Sequence, residues 1–144
     1  MTTDGTNLPI FMRPGHCAGD LLEAPQWKVL AQSHGFVDID AHIPSQVLNP
    51  RQQLFGGFTG TYVDMVALYT IRTMFGSRHD YWITTVNMRI DYLSPVTGPR
   101  VRLTGELINQ GRSTSLVAVT FYGPDGEKQV YSIVTLRVID KVSD

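Results

Sequence analysis

Residues 56–75 constrain this chain more than any other stretch. Phe58, Tyr62, Val63, Met65, Val66, Ala67, Leu68, Tyr69, Ile71 and Met74 carry apolar side chains nearly all the way round a helix that Gly76 and Ser77 end. A helix that is apolar on every side has to be covered on most of them. Within it only Asp64 and Arg72 are charged. The rest of the chain must wrap one buried helix and accommodate a carboxylate inside it.

Beyond the helix the chain is extended in character. Residues 81–93 run to the break at Ser94-Pro95, and 100–110 end at Gly111. Residues 114–122 end at Gly123-Pro124-Asp125-Gly126, a turn by its residue chemistry, and 128–139 close the chain. Val101, Leu103 and Leu107 share one parity, as do Leu116, Ala118 and Tyr122 in the next stretch. Short turns between consecutive strands predict an antiparallel four-stranded meander. Upstream, residues 36–43 alternate apolar with polar and predict a strand, broken by Asn49-Pro50. Residues 24–34 are expected to be a short helix, with Pro25 in its first turn and Gly35 just past its end. Residues 1–20, with their Gly, Pro and polar side chains, are expected to be a loose N-terminal arm. No repeat or linker divides the 144 residues, which predicts one domain spanning 1–144. The fold class is α+β, an antiparallel sheet curled around one long central helix. Trp82 and Tyr92 are expected in its core.

Composition excludes several function classes. With 42% hydrophobic and 17% charged residues and a net charge of -1, nothing argues for nucleic acid or a membrane surface. Cys17 is the single cysteine, so no internal disulfide, CxxC redox motif or Cys-rich zinc site exists, and a reducing, cytoplasmic setting is expected. The N-terminus lacks a basic region followed by a long apolar run, so no signal peptide is expected. No apolar run approaches the roughly 20 residues of a membrane helix. His16, His34, His42 and His79 are scattered, without ligand spacing, so no metal site is expected. No Gly-Lys-Ser/Thr follows the glycine-rich stretches, so they are not a P-loop, and no dinucleotide fingerprint is present.

The candidate site is Asp64. An ionised carboxylate in so apolar a helix is costly unless paired. Arg72, eight positions on, lies roughly 12 Å along the axis and is turned away. Gly57, Gly60 and Thr61 lie one and two turns before Asp64 on a similar face and leave space over the carboxylate. Glycine costs a helix about 1 kcal/mol relative to alanine, so three of them at 56, 57 and 60 point to close backbone approach. Two readings stand. Asp64 is a satisfied core polar residue and the glycines are packing accommodations. Alternatively, the free N–H groups at the helix start suit an oxyanion, and the carboxylate two turns away holds or activates a water or attacks directly. The second arrangement describes acyl transfer.

The run Asn49-Pro50-Arg51-Gln52-Gln53-Leu54-Phe55-Gly56-Gly57-Phe58-Thr59-Gly60-Thr61-Tyr62-Val63-Asp64 resembles the signature of PaaI-type hotdog thioesterases: an Asn, then His-Gly-Gly, then an Asp in the central helix, at the same spacings. Residues 88–96 resemble that family's second strand and its exit, and Asn109-Gln110-Gly111-Arg112-Ser113 resembles the turn between the next two strands. The resemblance covers roughly residues 37–139, in order. It implies a hotdog fold and a homodimer with two sites at its interface, and it admits a tetramer of two dimers. It implies an acyl-CoA substrate, with coenzyme A part of that substrate and no separate cofactor.

By the same resemblance the Gly56 N–H polarises the thioester carbonyl, and Asp64 of the opposing subunit is general base or nucleophile. Asn49 positions substrate or water, and Thr85 holds that water. Strand parity, however, groups Thr84 rather than Thr85 with Trp82, Val86, Met88 and Ile90, so Thr85 needs a bulge to reach the site. Phe55 stands where the family has His and is a candidate wall of an acyl pocket. Gly57, Arg112 and Ser113 complete the substrate-binding candidates, Arg112 through a guanidinium fork suited to coenzyme A phosphates. Hydrolysis of an acyl thioester is the first expectation. A hotdog module that binds acyl-CoA without turning it over is the alternative, for which the Phe55 departure leaves room. A dehydratase comes last, because the position before Gly56 lacks the His that chemistry uses.

Overall fold

The computed structural model describes residues 9–141. Its strands are β1 Lys28–Ser33, β2 Phe36–His42, β3 Tyr81–Tyr92, β4 Arg100–Gln110, β5 Thr114–Tyr122 and β6 Lys128–Asp140. Its helices are α1 Cys17–Leu21 and α2 Gly56–Arg72. All six strands form one sheet in the order β1-β2-β4-β5-β6-β3, with every neighbouring pair antiparallel.

The sheet curls around α2 because α2 leaves it no choice. Tyr62, Val63, Val66, Ala67 and Ile71 are fully buried, and they meet the inward row of the strands: Val37 and Ile39 on β2, Leu103 on β4, Val119 and Phe121 on β5, Val134 and Leu136 on β6. One strand residue fixes the closest approach. At Gly105 on β4, a Cβ would stand 2.0 Å from Thr70 Oγ1 and 3.0 Å from Val66 Cγ1 on α2. The helix backbone sits where a side chain would otherwise be. This is the sheet-around-helix arrangement that the sequence implied.

The structure corrects four expectations. Residues 24–34 are not a helix: Ala24–Gln26 make a single 3-10 turn and Lys28–Ser33 form an edge strand. Gly35, which looked like a helix stop, has φ 75° and turns β1 into β2, with Ser33 paired to Phe36. Glycine in the left-handed region serves both roles, and the two patterns coincide in sequence.

The four last strands are not a simple meander. β4, β5 and β6 run in order, but β3 lies at the far edge beside β6, and β4 enters between β2 and β5. The connection 93–99 makes the crossing, tied to the other side by Leu54 N–H donating to Val96 O at 2.8 Å and Ile43 N–H donating to Pro99 O at 2.8 Å.

The described part of the expected arm is not loose. Phe11 is buried and stacks on Tyr69 at 4.9 Å, Ile10 bridges Lys28, and His16 Nδ1 caps α1 by accepting from Gly19 N–H at 3.0 Å. Residues 1–8 lie outside the described residues. Trp82 and Tyr92, expected in the core, are 64% and 58% exposed on β3. β3 is an edge strand, so Trp82 on its outward row is left open, while Tyr92, on the inward row at the strand end, lies against Gly56 with much of its ring exposed.

Candidate functional site

Gly56, Gly60 and Asp64 recur every four residues and so stand above one another on one face of α2. That face lies along β3, and the two run past each other. Gly56 meets Tyr92, whose Oη donates to Gly56 O at 2.8 Å. Gly60 meets Ile90 and Met88, each 3.7 Å from where its Cβ would be. Asp64 meets Thr85, whose hydroxyl donates to Asp64 Oδ1 at 2.5 Å.

Thr85 reaches Asp64 through a bulge. In the pairing of β3 with β6, Thr85 stands opposite Leu136 and Asn87 opposite Thr135, so Val86 is an extra residue. Before it, Tyr81, Ile83 and Thr85 point towards the helix; after it, Met88 and Ile90 do. One unpaired residue switches the parity of the strand, and both halves present their inner side chains to α2.

The helix start is built differently. Phe55 occupies the N-cap without a side-chain cap, so α2 begins with N–H groups at Gly56 and Gly57 that its own carbonyls do not reach. The Phe55 ring is 54% exposed and lies over Gly57, 3.1 Å from where a Cβ would stand. Asn49 shapes the loop leading in: its Oδ1 accepts from Arg51 N–H at 2.9 Å and Gln53 N–H at 3.0 Å. Gln52, at φ 63°, makes the turn between those two donors.

The site residues thus fall into separate groups. Asp64 and Thr85 touch. Asn49, Phe55, Gly56 and Gly57 gather at the helix start, about 12 Å along the axis from Asp64. Arg112 and Ser113 sit in the exposed β4–β5 turn, at the same end of the sheet as Thr85: Leu136 pairs with Thr85 on one side and with Ser115 on the other. The glycine face is not a place of close backbone approach within the protomer, because Gly56 and Gly60 have ordinary contacts.

Asp64 also borders a cavity of about 230 Å³ between α2 and the N-terminal segment. Thr61, Met65, Leu68 and Tyr69 of α2 line it with Phe11, Met12, His16 and Ala18, and Arg72, expected to be turned away from Asp64, borders the same cavity. Burial pushes the Tyr69 hydroxyl pKa up, and that hydroxyl donates to Gln32 Oε1 at 2.5 Å. These N-terminal residues escaped the sequence reading. The available signal was the apolar run Leu8-Pro9-Ile10-Phe11-Met12. Tyr92 escaped as well, because nothing in a strand pattern shows a hydroxyl reaching a helix carbonyl. Among the described residues no group of three or more His, Cys, Asp or Glu gathers as a metal site would, and no helix is long and apolar enough to cross a membrane.

Comparison with known proteins agrees with this architecture. The fold is similar to that of a hypothetical thioesterase from Streptococcus pneumoniae TIGR4, solved with coenzyme A. The two are 19% identical over 82% of this chain and 89% of that one, with a TM-score of 0.72. A Streptococcus mutans UA159 protein solved bound to acetyl CoA is 18% identical over 82% of this chain and 92% of that one, also at 0.72. The E. coli PaaI protein, from the phenylacetic acid degradation operon, is 15% identical over 89% and 88%, at 0.74. No curated protein is matched by the sequence. The family model of the thioesterase superfamily matches residues 52–130, from the loop before α2 into β6 and across both Asp64 and Thr85. This chain, with its sheet curled around one helix in the hotdog manner, belongs to the thioesterase superfamily.

Proposed function

We propose that the protein hydrolyses an acyl-CoA thioester to a free acid and coenzyme A, in the cytoplasm and without a separate cofactor. The observation that carries this reading is the Thr85 hydroxyl on Asp64 Oδ1 at 2.5 Å, beside a cavity. A donor on one carboxylate oxygen turns the other towards the cavity, where it takes a proton from water as that water attacks the thioester carbon. The carbonyl oxygen becomes an oxyanion and accepts from the Gly56 N–H. The C–S bond then breaks and the proton returns to the departing thiolate. Direct attack by the Asp64 carboxylate is the variant of the same chemistry, through an anhydride that water opens. Asn49 positions the loop and substrate at the helix start, and Arg112 with Ser113 offers a phosphate contact.

Base and oxyanion donor must each lie about 3 Å from the reacting group. Within one protomer Asp64 and Gly56 are about 12 Å apart along the axis. The site is therefore composed with Gly56 of the partner subunit, in a homodimer. The twelve-residue free edge of β3, with Trp82, Val86 and Tyr92 exposed, supports pairing there, because an uncovered apolar edge invites another strand. Two such dimers can join as a tetramer. The two structural neighbours solved with coenzyme A or acetyl CoA support the substrate class.

The test is thiol release across an acyl-CoA panel, with Asp64→Asn and Asp64→Ala compared against the parent and dimer mass checked for each. Loss of nearly all turnover with the dimer intact is expected; retained turnover in both variants removes Asp64 from the mechanism. Phe55, exposed at the position where the family carries His, favours one second reading, a binding module that holds acyl-CoA without cleaving it. Tight binding without thiol release across the panel distinguishes it.

A further inference from the structure

The cavity beside Asp64 has a shape and lining that select what enters it. We propose that it is the acyl pocket, and that Met12 and Leu68 close it so that compact acyl groups of about eight heavy atoms are preferred over long ones. This deepens the hydrolase reading and rests on it. The half of an acyl-CoA beyond the thioester sulfur carries amides and phosphates and needs polar partners. The acyl half needs none. With the thioester carbon held at Asp64, the group that extends among Met12, Met65, Leu68 and Tyr69 is the acyl chain.

Volume sets the limit. An apolar cavity of about 150 Å³ holds a benzene ring, and roughly 30 Å³ is the share of one small heavy-atom group. The 230 Å³ here therefore takes one ring with two or three further groups, or a straight chain of about eight carbons. The walls that impose this are thin. Leu68, with His16 and Arg72, also lines a second cavity of about 540 Å³ that continues towards Trp82 and the start of β3. Met12 separates the pocket from a third hollow bordered by Ile10 and Arg13. Its position is fixed from behind, because Gly19 leaves the Met12 sulfur a place that a Cβ would occupy, 2.0 Å away. The N-terminal segment is thus a wall of the pocket, and removing either partition joins it to open space.

The experiment measures kcat/KM for straight-chain acyl-CoAs from acetyl to hexadecanoyl with the parent, Met12→Ala, Leu68→Ala and Leu68→Phe, each checked by thermal unfolding. The same series of non-hydrolysable thioether analogues is titrated against Asp64→Asn, alone and combined with each change. A methylene that does or does not fit changes kcat/KM by about tenfold or more. Expected is a fall of at least about tenfold between octanoyl and dodecanoyl in the parent, recovered in Met12→Ala or Leu68→Ala and moved to shorter chains in Leu68→Phe. An identical chain-length profile in all folded variants overturns the assignment, as does a parent that handles hexadecanoyl as well as hexanoyl. If no thioester is cleaved, the hydrolase reading falls by itself and the thioether titrations decide the pocket. A length cut-off that moves with the variants upholds it, and binding that ignores length, or no binding, overturns it.

Discussion

Thr85 donates its hydroxyl proton to Asp64 Oδ1 at 2.5 Å, from an edge strand to the central helix, and it does so because Val86 is one residue more than β6 can pair. The bond fixes the rotamer of Asp64 relative to the cavity.

Thr85→Val, which keeps the shape and removes the hydroxyl, is expected to lower kcat by about 10- to 100-fold, the range that misplacing a reacting group by an ångström can reach. Thr85→Ser is expected to retain most of the activity. Steady-state thiol release on both variants reads this. Equal activity in the Val variant and the parent would mean that the hydroxyl positions nothing.

Gly60→Ala is expected to raise stability by about 1 kcal/mol, the helix propensity gained. The added methyl meets Ile90 and Met88 at 3.7 Å, ordinary contact that needs no rearrangement. Chemical denaturation checks the sign, and a destabilised variant would show that something beyond this protomer presses on the glycine face.

Gly105→Ala is expected to act the other way, lowering stability by about 1–3 kcal/mol as overpacking does. Its methyl would stand 2.0 Å from Thr70 Oγ1, which is itself committed to Val66 O at 2.7 Å. The double variant with Thr70→Ala is expected to recover part of the loss, and additive losses would argue against this clash as the cause.

Tyr92→Phe removes the donor to Gly56 O, worth about 0.5–1.5 kcal/mol and at the lower end here because Tyr92 is exposed. If the Gly56 N–H stabilises an oxyanion, loosening the peptide next to it should lower kcat more than it raises KM. A pure KM effect would place Tyr92 in substrate binding instead.

Much of the fold was legible because its patterns are local. The bounds of β4 and β5 followed from alternation and turn residues, and α2 from its all-round apolarity. The helix read at 24–34 failed because Pro25 and Gly35 punctuate a turn and a hairpin as readily as a helix. The place of β3 failed because pairing partners are set by long-range packing against α2, which strand parity does not encode. At the site, Asp64 stood out as a charge in an apolar helix, and Thr85 came only from a family resemblance that parity opposed. The bulge that reconciles them leaves no mark in residue type: Val86 is an ordinary strand residue. Met12 and Phe11 belong to a short apolar run, Leu8 to Met12, whose flanking Gly, Pro and polar residues made the whole segment look unstructured.

The extra residue at Val86 makes β3 a strand in two phases, and a phase can be lost. Deleting Val86 would close the bulge and keep both halves in place, because Thr85 and Asn87 already face consecutive residues of β6. Pairing Val86 in an unbulged ladder would instead turn residues 81–85 by half a rotation about the strand axis. Thr84 would then point at the helix and Thr85 at solvent, Ile83 would leave the core, and Trp82 would be driven into it. A slip of one residue in the pairing, in a place that contacts neither carboxylate nor cavity, would exchange the inner and outer surfaces of half a strand. The bulged pairing at this point is therefore as strict a requirement as chemistry is at the neighbouring Thr85.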